Sequence, residues 1–238
     1  MALTKTAERA LASYGGADLW RRASSIHATL SAGGLAFRLK WQKPFQRAKA
    51  RFEVAAPKAR IQPIDAEGNT GVLNGHDVAI EDKNGLTLET RASARKYFPY
   101  GRRLLYWDRL DQTYFACYAL WNYSTLPALL MRDEIAWTEV CDGVLEARFP
   151  AHLPTHSERQ RFQFDCATGL LMQHDYIAEV LGGWAKASMV VVEHRFWNGI
   201  PYVSRRRGTP TGPGGQPRPG PVMVEIEVHE WRLEGSGL

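Results

Sequence analysis

RQRFQFDCATGLLMQHDYI, residues 159–177, decides the fold, because it predicts two antiparallel strands joined by a short turn. Apolar and polar side chains alternate over residues 159–164 and again over residues 170–177, which is the period of a half-buried strand. Asp165, Thr168 and Gly169 stand between the two runs and are residue types that favour tight turns. The segment is therefore predicted to be a hairpin within a larger sheet.

The register of this hairpin decides which side chains point inward. If Phe164 pairs with Leu170, one face carries every second side chain of both strands: Gln160, Phe162, Met172, His174 and Tyr176. A slip by one residue would bury Gln173 and Asp175 instead, which is a poorer apolar pattern. We therefore predict an apolar face with a polar end, formed by His174, Gln160 and Tyr176.

The same alternation continues on both sides of the hairpin. It predicts strands over residues 26–30, 35–39, 47–54, 78–81, 86–91, 144–149, 184–197, 200–207 and 222–233. Asn198-Gly199 separates two of these runs and favours a two-residue hairpin turn. Sequential hairpins build a meander, and a long meander curls. We predict a mainly β (α+β) fold, in which a single curved antiparallel sheet forms an unclosed barrel.

Two segments depart from this period and are predicted to be helical. Residues 1–23 hold two short N-terminal helices separated by Gly15-Gly16, and residues 107–131 form an aromatic helical plug. Residues 208–221 are rich in Gly and Pro and are predicted to form a flexible loop. We find neither an internal repeat nor a second core, so residues 1–238 should form a single domain.

The predicted plug carries an aromatic stripe at helical spacing: Trp107, Tyr114, Tyr118 and Trp121. Such a stripe packs in a core or lines a pocket for an apolar ligand, and we predict that it binds ligand. Asp111 lies on the flank of the stripe. Two roles remain open for its carboxylate, a partly buried acid–base group or a rim group paired with Arg103 or Arg109.

Histidine spacing raises the question of a metal site. His152 and His156 are four residues apart, which would suit a metal ion on a helix, but Pro150 and Pro154 prevent a regular helix there. We therefore predict no metal site, and no motif for a nucleotide cofactor occurs. His156 is expected to reach the mouth of the cavity beside His174.

Charge and cysteine content limit the partners and the compartment. The net charge is +5, but no nucleic-acid-binding motif is present, so nucleic acid is not an expected partner. The run Arg205–Arg207 either meets an anionic lipid head or acidic partner, or is a solvated strand end.

No window reaches the roughly 18 apolar residues of a membrane span. Three scattered Cys and an N-terminus without an apolar signal core lead us to expect a cytoplasmic protein.

Two segments resemble the LolA/LolB-like superfamily of lipoprotein-localisation factors. They are Tyr14-Gly15-Gly16 through Trp20 to Ile26, and the hairpin from Phe162-Gln163-Phe164-Asp165 to Thr168-Gly169-Leu170-Leu171. The resemblance implies an unclosed antiparallel barrel with helices in its opening and an apolar cavity that holds acyl chains. Members of the superfamily act in the periplasm or at the outer membrane. Because this sequence shows neither a signal peptide nor a lipobox Cys, it looks more like one of the uncharacterised cytosolic proteins that share the fold.

Two functions remain open at this stage. The first is binding or carrying an apolar small molecule, such as an acyl chain, in the barrel cavity without a cofactor. The second is a cofactor-free hydratase, isomerase or cyclase, with His174 or Asp111 as acid–base and Tyr118 or Tyr176 orienting the substrate. A third, weaker reading is a structural protein whose aromatic surface meets another chain. We favour binding, since no set of residues requires catalysis.

Overall fold

A computed structural model describes residues 3–237 of the chain. Its strands are β1 (Ala23–Gly33), β2 (Phe45–Glu53), β3 (Lys58–Gln62), β4 (Thr70–Asn74), β5 (Asp77–Glu81), β6 (Thr87–Arg91), β7 (Ala136–Cys141), β8 (Val144–Arg148), β9 (Arg159–Phe164), β10 (Leu171–Ile177), β11 (Lys186–Trp197), β12 (Ile200–Pro210) and β13 (Val224–Gly235). The helices are α1 (Lys5–Ser13), α2 (Ala17–Arg22), α3 (Leu35–Leu39), α4 (Arg109–Ser124) and α5 (Leu126–Leu129).

The thirteen strands form one antiparallel sheet in the order β6-β5-β4-β3-β2-β1-β13-β12-β11-β10-β9-β8-β7. Two meanders, β1–β6 and β7–β13, join where the first strand pairs with the last. The outer strands β6 and β7 do not pair with each other, so the sheet is not closed into a barrel. The predicted single open antiparallel sheet is confirmed.

The main helix of the plug packs against the first meander of the sheet. α4 packs against β2–β6, and its residues from Leu110 to Tyr123 are all buried. A helix surrounded by protein needs no polar face, which explains why aromatic residues occur on several of its sides. The predicted plug of 107–131 is therefore two helices, α4 and α5, and no helix in residues 3–237 is long and apolar enough to cross a membrane.

Several sequence predictions need correction. Residues 35–39, predicted as a strand, form α3, because Gly34 turns the chain at a φ of +128° and the amide of Leu35 bonds to Val222. β3, β4 and β7 were not predicted, since their short runs mix charged residues and Gly with apolar ones. Part of the predicted loop at 208–221 is ordered strand, because β12 continues to Pro210 through its pairing with β11.

Candidate ligand site

The β9–β10 hairpin forms, but its register differs from the predicted one. Phe164 lies opposite Leu171, and Phe162 lies opposite His174, with a bulge between Leu171 and Gln173. A bulge sets two residues against one and so changes which side chains point inward. Leu171 is therefore buried, whereas Met172 is 51% exposed. The prediction that Met172 lines the inner face is wrong for this reason.

His174 lies on the inner face of β10, as predicted, and is sealed from solvent. Its Nε2 atom is 2.7 Å from Oε1 of Gln160, and its ring stacks on Phe162 at 4.1 Å between centroids. The amide nitrogen of Gln160 donates to the carbonyl of Ser157, so the Gln160 oxygen faces the histidine and His174 donates through Nε2–H. Burial lowers the pKa of His174 well below its usual value, so the ring is neutral.

His156 is the centre of a buried network behind His174. Its Nε2 atom is 2.8 Å from the Tyr123 hydroxyl and its Nδ1 atom is 3.3 Å from the Tyr118 hydroxyl. The Tyr123 hydroxyl is also 2.6 Å from the Tyr176 hydroxyl, and the His156 ring stacks on Tyr176 at 3.8 Å. Burial lowers the pKa of His156 and raises that of Tyr176 to about 12. The network therefore holds neutral groups that satisfy one another.

Three members of the predicted aromatic stripe make hydrogen bonds within the core. Trp121 donates its indole N–H to the carbonyl of Glu53 at 2.7 Å, and the Tyr114 hydroxyl is 2.8 Å from His76 Nδ1. Tyr118 contacts His156, as described above. Trp107 packs edge-on against Phe98, and its indole nitrogen is buried without a hydrogen-bond partner among residues 3–237. The stripe holds the plug to the sheet.

Asp111 is fully buried at the start of α4, where three arginines surround it. Its oxygens lie 2.6 Å from Arg91, 2.7 Å from Arg102 and 2.7 Å from Arg103. Its carboxylate also accepts from the amide of Asp108, in a reciprocal capping box. Of the two predicted arginine partners, Arg103 is correct, while Arg109 pairs with Asp65 and Glu89.

Asp111 and the histidines are far apart. Tyr123, which packs against His174, is twelve residues further along the helix, or about 18 Å at 1.5 Å per residue. The structure therefore does not bring Asp111 and His174 together as one acid–base pair. His152 and His156 are also separated, since His152 is exposed near Glu134 and His156 is buried. Within residues 3–237, no group of three or more His, Cys, Asp or Glu side chains is arranged to hold a metal ion.

An apolar cleft lies next to the Tyr123 end of this network. Its walls come from the sheet centre (β1, β12, β13), from β10, from α2 and the residue that ends α1, and from the α4–α5 junction. They include Leu30, Leu120, Leu126, Pro127, Ile226 and Trp231. The cleft is narrow: about 40 Å³ of it is open to a water-sized molecule. Of the network residues, Tyr123 reaches this cleft.

At this site, the sequence analysis did not predict that Arg206 faces inward. It is 5% exposed, lines the cleft, and its guanidinium carbon lies 4.6 Å from the centroid of the Tyr123 ring. Strand alternation would have found it, because Tyr202, Ser204 and Arg206 are all buried while Arg207 is exposed. The three consecutive arginines concealed this period.

Comparison with known proteins identifies the fold through structure alone. No family model matches the chain, and no curated protein is similar in sequence. A DUF1329 family protein from Desulfovibrio piger is 15% identical, with a TM-score of 0.52 over 98% of this chain and 93% of that one. A LolA superfamily protein from Nitrosomonas europaea is 6% identical, with a TM-score of 0.52 over 98% and 94% of the two chains.

A third structure, a putative outer membrane lipoprotein-sorting protein domain from Vibrio parahaemolyticus, is 12% identical, with a TM-score of 0.50 over 98% of this chain and 92% of that one. Identities this low show a shared fold and no more. All three alignments span nearly the whole open sheet together with its helices. The chain therefore has the LolA-like fold.

Proposed function

We propose that this protein binds a lipid-like small molecule in the cleft between the centre of the sheet and the α4–α5 junction. The observation that carries the proposal is the mainly apolar lining of this cleft, which is open at its mouth and would widen as a ligand enters. Pockets for small apolar ligands combine apolar walls with few polar groups. Here Leu30, Leu126 and Trp231 supply apolar wall, and Arg206 supplies charge.

The fold supports the same proposal. One of the similarly folded proteins is described as a putative outer membrane lipoprotein-sorting protein domain, a description that suits a lipid-like ligand. The catalytic alternative has less support, since Asp111 is held by three arginines and His174 is bonded to Gln160 within a buried network. Binding needs neither group to be accessible.

Tryptophan fluorescence tests the proposal. Trp20 and Trp231 both line the cleft, so a fatty acyl chain that carries a bromine or nitroxide quencher should quench their emission as it binds. Val228 also lines the cleft and is only partly buried, so Val228→Phe should narrow it and weaken quenching. Val192→Phe is the matched control, because Val192 is 41% exposed and is not part of the cleft wall.

The proposal predicts saturable quenching that survives Val192→Phe and is reduced by Val228→Phe. Both variants should unfold at a similar temperature to the unmodified protein. Quenching that is equal in both variants would place the acyl chain outside the cleft, and an absence of saturable quenching would rule out lipid binding there.

A further inference from the structure

Arg206 is a buried charge that faces an apolar cleft. Among residues 3–237, no carboxylate forms an ion pair with it and no group accepts a hydrogen bond from it. Burying a guanidinium without a counter-ion is costly, which is why most buried arginines are paired. The lowered pKa of Arg206, caused by burial, reflects the same unfavourable environment.

Most other arginines of the chain show the usual arrangement. Arg91, Arg102 and Arg103 share the carboxylate of Asp111, and the neighbouring Arg207 pairs with Glu225 at 2.8 Å. Arg206 therefore differs from Arg207 in two ways: its side chain is buried, and it has no ion-pair partner among residues 3–237. Apolar residues of the cleft lie on one side of the Arg206 side chain, and the Tyr123 ring lies on the other.

The groups around Arg206 compensate its charge only in part. The Tyr123 ring offers a cation–π contact at 4.6 Å. Tyr14 lines the same cleft, and its hydroxyl is 3.2 Å from Nε2 of His194 while accepting the amide of Leu171 at 3.2 Å. Burial, with a further contribution from Arg206, lowers the pKa of His194 to about 4, so this ring is neutral. The inner end of the cleft therefore carries one positive charge.

We infer that Arg206 binds the carboxylate of a single-chain amphiphile, such as a fatty acid, whose hydrocarbon tail lies along the apolar cleft. This inference rests on the proposed function and names its ligand class. A guanidinium presents parallel N–H groups that match the two oxygens of a carboxylate. One cation in the site balances one carboxylate, and a narrow cleft suits a single linear chain better than two chains or a fused ring.

A ligand series tests the inference on the unmodified protein. Decanoate is compared with methyl decanoate and decanol, which keep the chain but remove the charge, and with decyl phosphate, which changes the anion. A buried charge-assisted hydrogen bond should favour decanoate over methyl decanoate by about ten- to a hundredfold in Kd. Quenching of the cleft tryptophans by competition with the brominated chain provides the measurement.

Variants at positions 206 and 207 test whether Arg206 causes the preference for decanoate. Arg206→Met should remove the preference for decanoate and leave the affinity for methyl decanoate nearly unchanged. Arg206→Lys keeps the charge and should retain part of the preference. Arg207→Met is the control, since it removes an exposed charge from the same strand. Because the ligand series itself needs no variant, the inference can be tested even if Arg206→Met fails to fold.

Each outcome has a distinct meaning. Decanoate preference that depends on Arg206 and not on Arg207 supports the inference. Equal affinity for decanoate and methyl decanoate overturns it and leaves lipid binding in place. A clear preference for decyl phosphate overturns the carboxylate assignment. If no chain of any head group binds, the proposed function fails and the inference fails with it.

Discussion

The guanidinium carbon of Arg206 lies 4.6 Å from the centroid of the Tyr123 ring, while the hydroxyl of the same tyrosine is 2.8 Å from Nε2 of His156. Tyr123 therefore separates two environments. Its ring borders the apolar cleft, and its hydroxyl belongs to the buried histidine network. This arrangement allows the two to be tested separately.

Tyr123→Phe should destabilise the protein without altering the cleft. The change keeps the ring under Arg206 but removes the hydroxyl that bonds to His156 and Tyr176. Leaving buried polar groups without partners should lower the free energy of unfolding by about 1–3 kcal/mol. Urea unfolding measures this loss. Tyr100→Phe, at a position 67% exposed, is the control, and an equal effect of the two changes would contradict the role of the network.

Stability should fall as the pH drops below about 6.5. Burial lowers the pKa of His156 and His174 well below the value of 6.5 that they have when unfolded. Between these values the unfolded chain binds protons that the folded protein does not, so protonation favours unfolding. Each histidine should contribute up to about 1.4 kcal/mol per pH unit.

Urea unfolding between pH 7 and pH 5 measures this slope. His174→Gln should reduce the slope by up to about 1.4 kcal/mol per pH unit, whatever its effect at pH 7. His152→Gln is the control, because the His152 side chain is 65% exposed. A slope that is the same in the unmodified protein and in His174→Gln would show that His174 is not buried as a neutral group.

Asp111→Asn should destabilise the protein strongly, because it removes the carboxylate partner of Arg103. Arg91 and Arg102 would keep Asp108 alone as their carboxylate partner. Breaking a buried ion pair by removing one partner costs about 3–5 kcal/mol. Asp142→Asn is the matched control, since the Asp142–Arg9 pair is exposed and should matter little. Thermal or urea unfolding distinguishes the two. A mild effect of Asp111→Asn would instead reopen a functional role for this carboxylate.

Because of the bulge in β10, the neighbouring residues Leu171 and Met172 differ in burial. Leu171→Ala should lower the free energy of unfolding by about 2–5 kcal/mol, because it empties a buried site. Met172→Ala, at an exposed position, should change it by less than about 0.5 kcal/mol. The predicted register without a bulge gives the opposite order, so unfolding measurements on the pair decide between the two registers.

Much of the sheet could be predicted because its signals are local. Asn198 and Gly199 adopt φ angles of +47° and +80°, as a two-residue hairpin turn requires, and they set the pairing of β11 with β12. α4 begins where the capping box of Asp108 and Asp111 stands. His174, Tyr176 and Gln160 were placed on the buried face by alternation, and that placement is confirmed.

The prediction from alternation failed at the bulge, where one extra residue shifts which side chains point inward. The bulge after Leu171 turned Met172 outward, and nothing in the local sequence distinguishes these two apolar neighbours. The role of Asp111 was equally undetermined, since its partners Arg91, Arg102 and Arg103 belong to segments whose approach depends on the packing of α4.

The sequence by itself determined most of the strands, their antiparallel hairpin pairing and the aromatic helix between them, because periodicity and turn residues act over a few positions. Only the tertiary structure decided that Tyr14, Tyr123 and Arg206, from three separate elements, meet at one cleft. It also decided that Arg206 faces inward with no ion-pair partner among residues 3–237. Both results depend on strand pairing and helix packing between residues far apart in the chain, which no local pattern specifies.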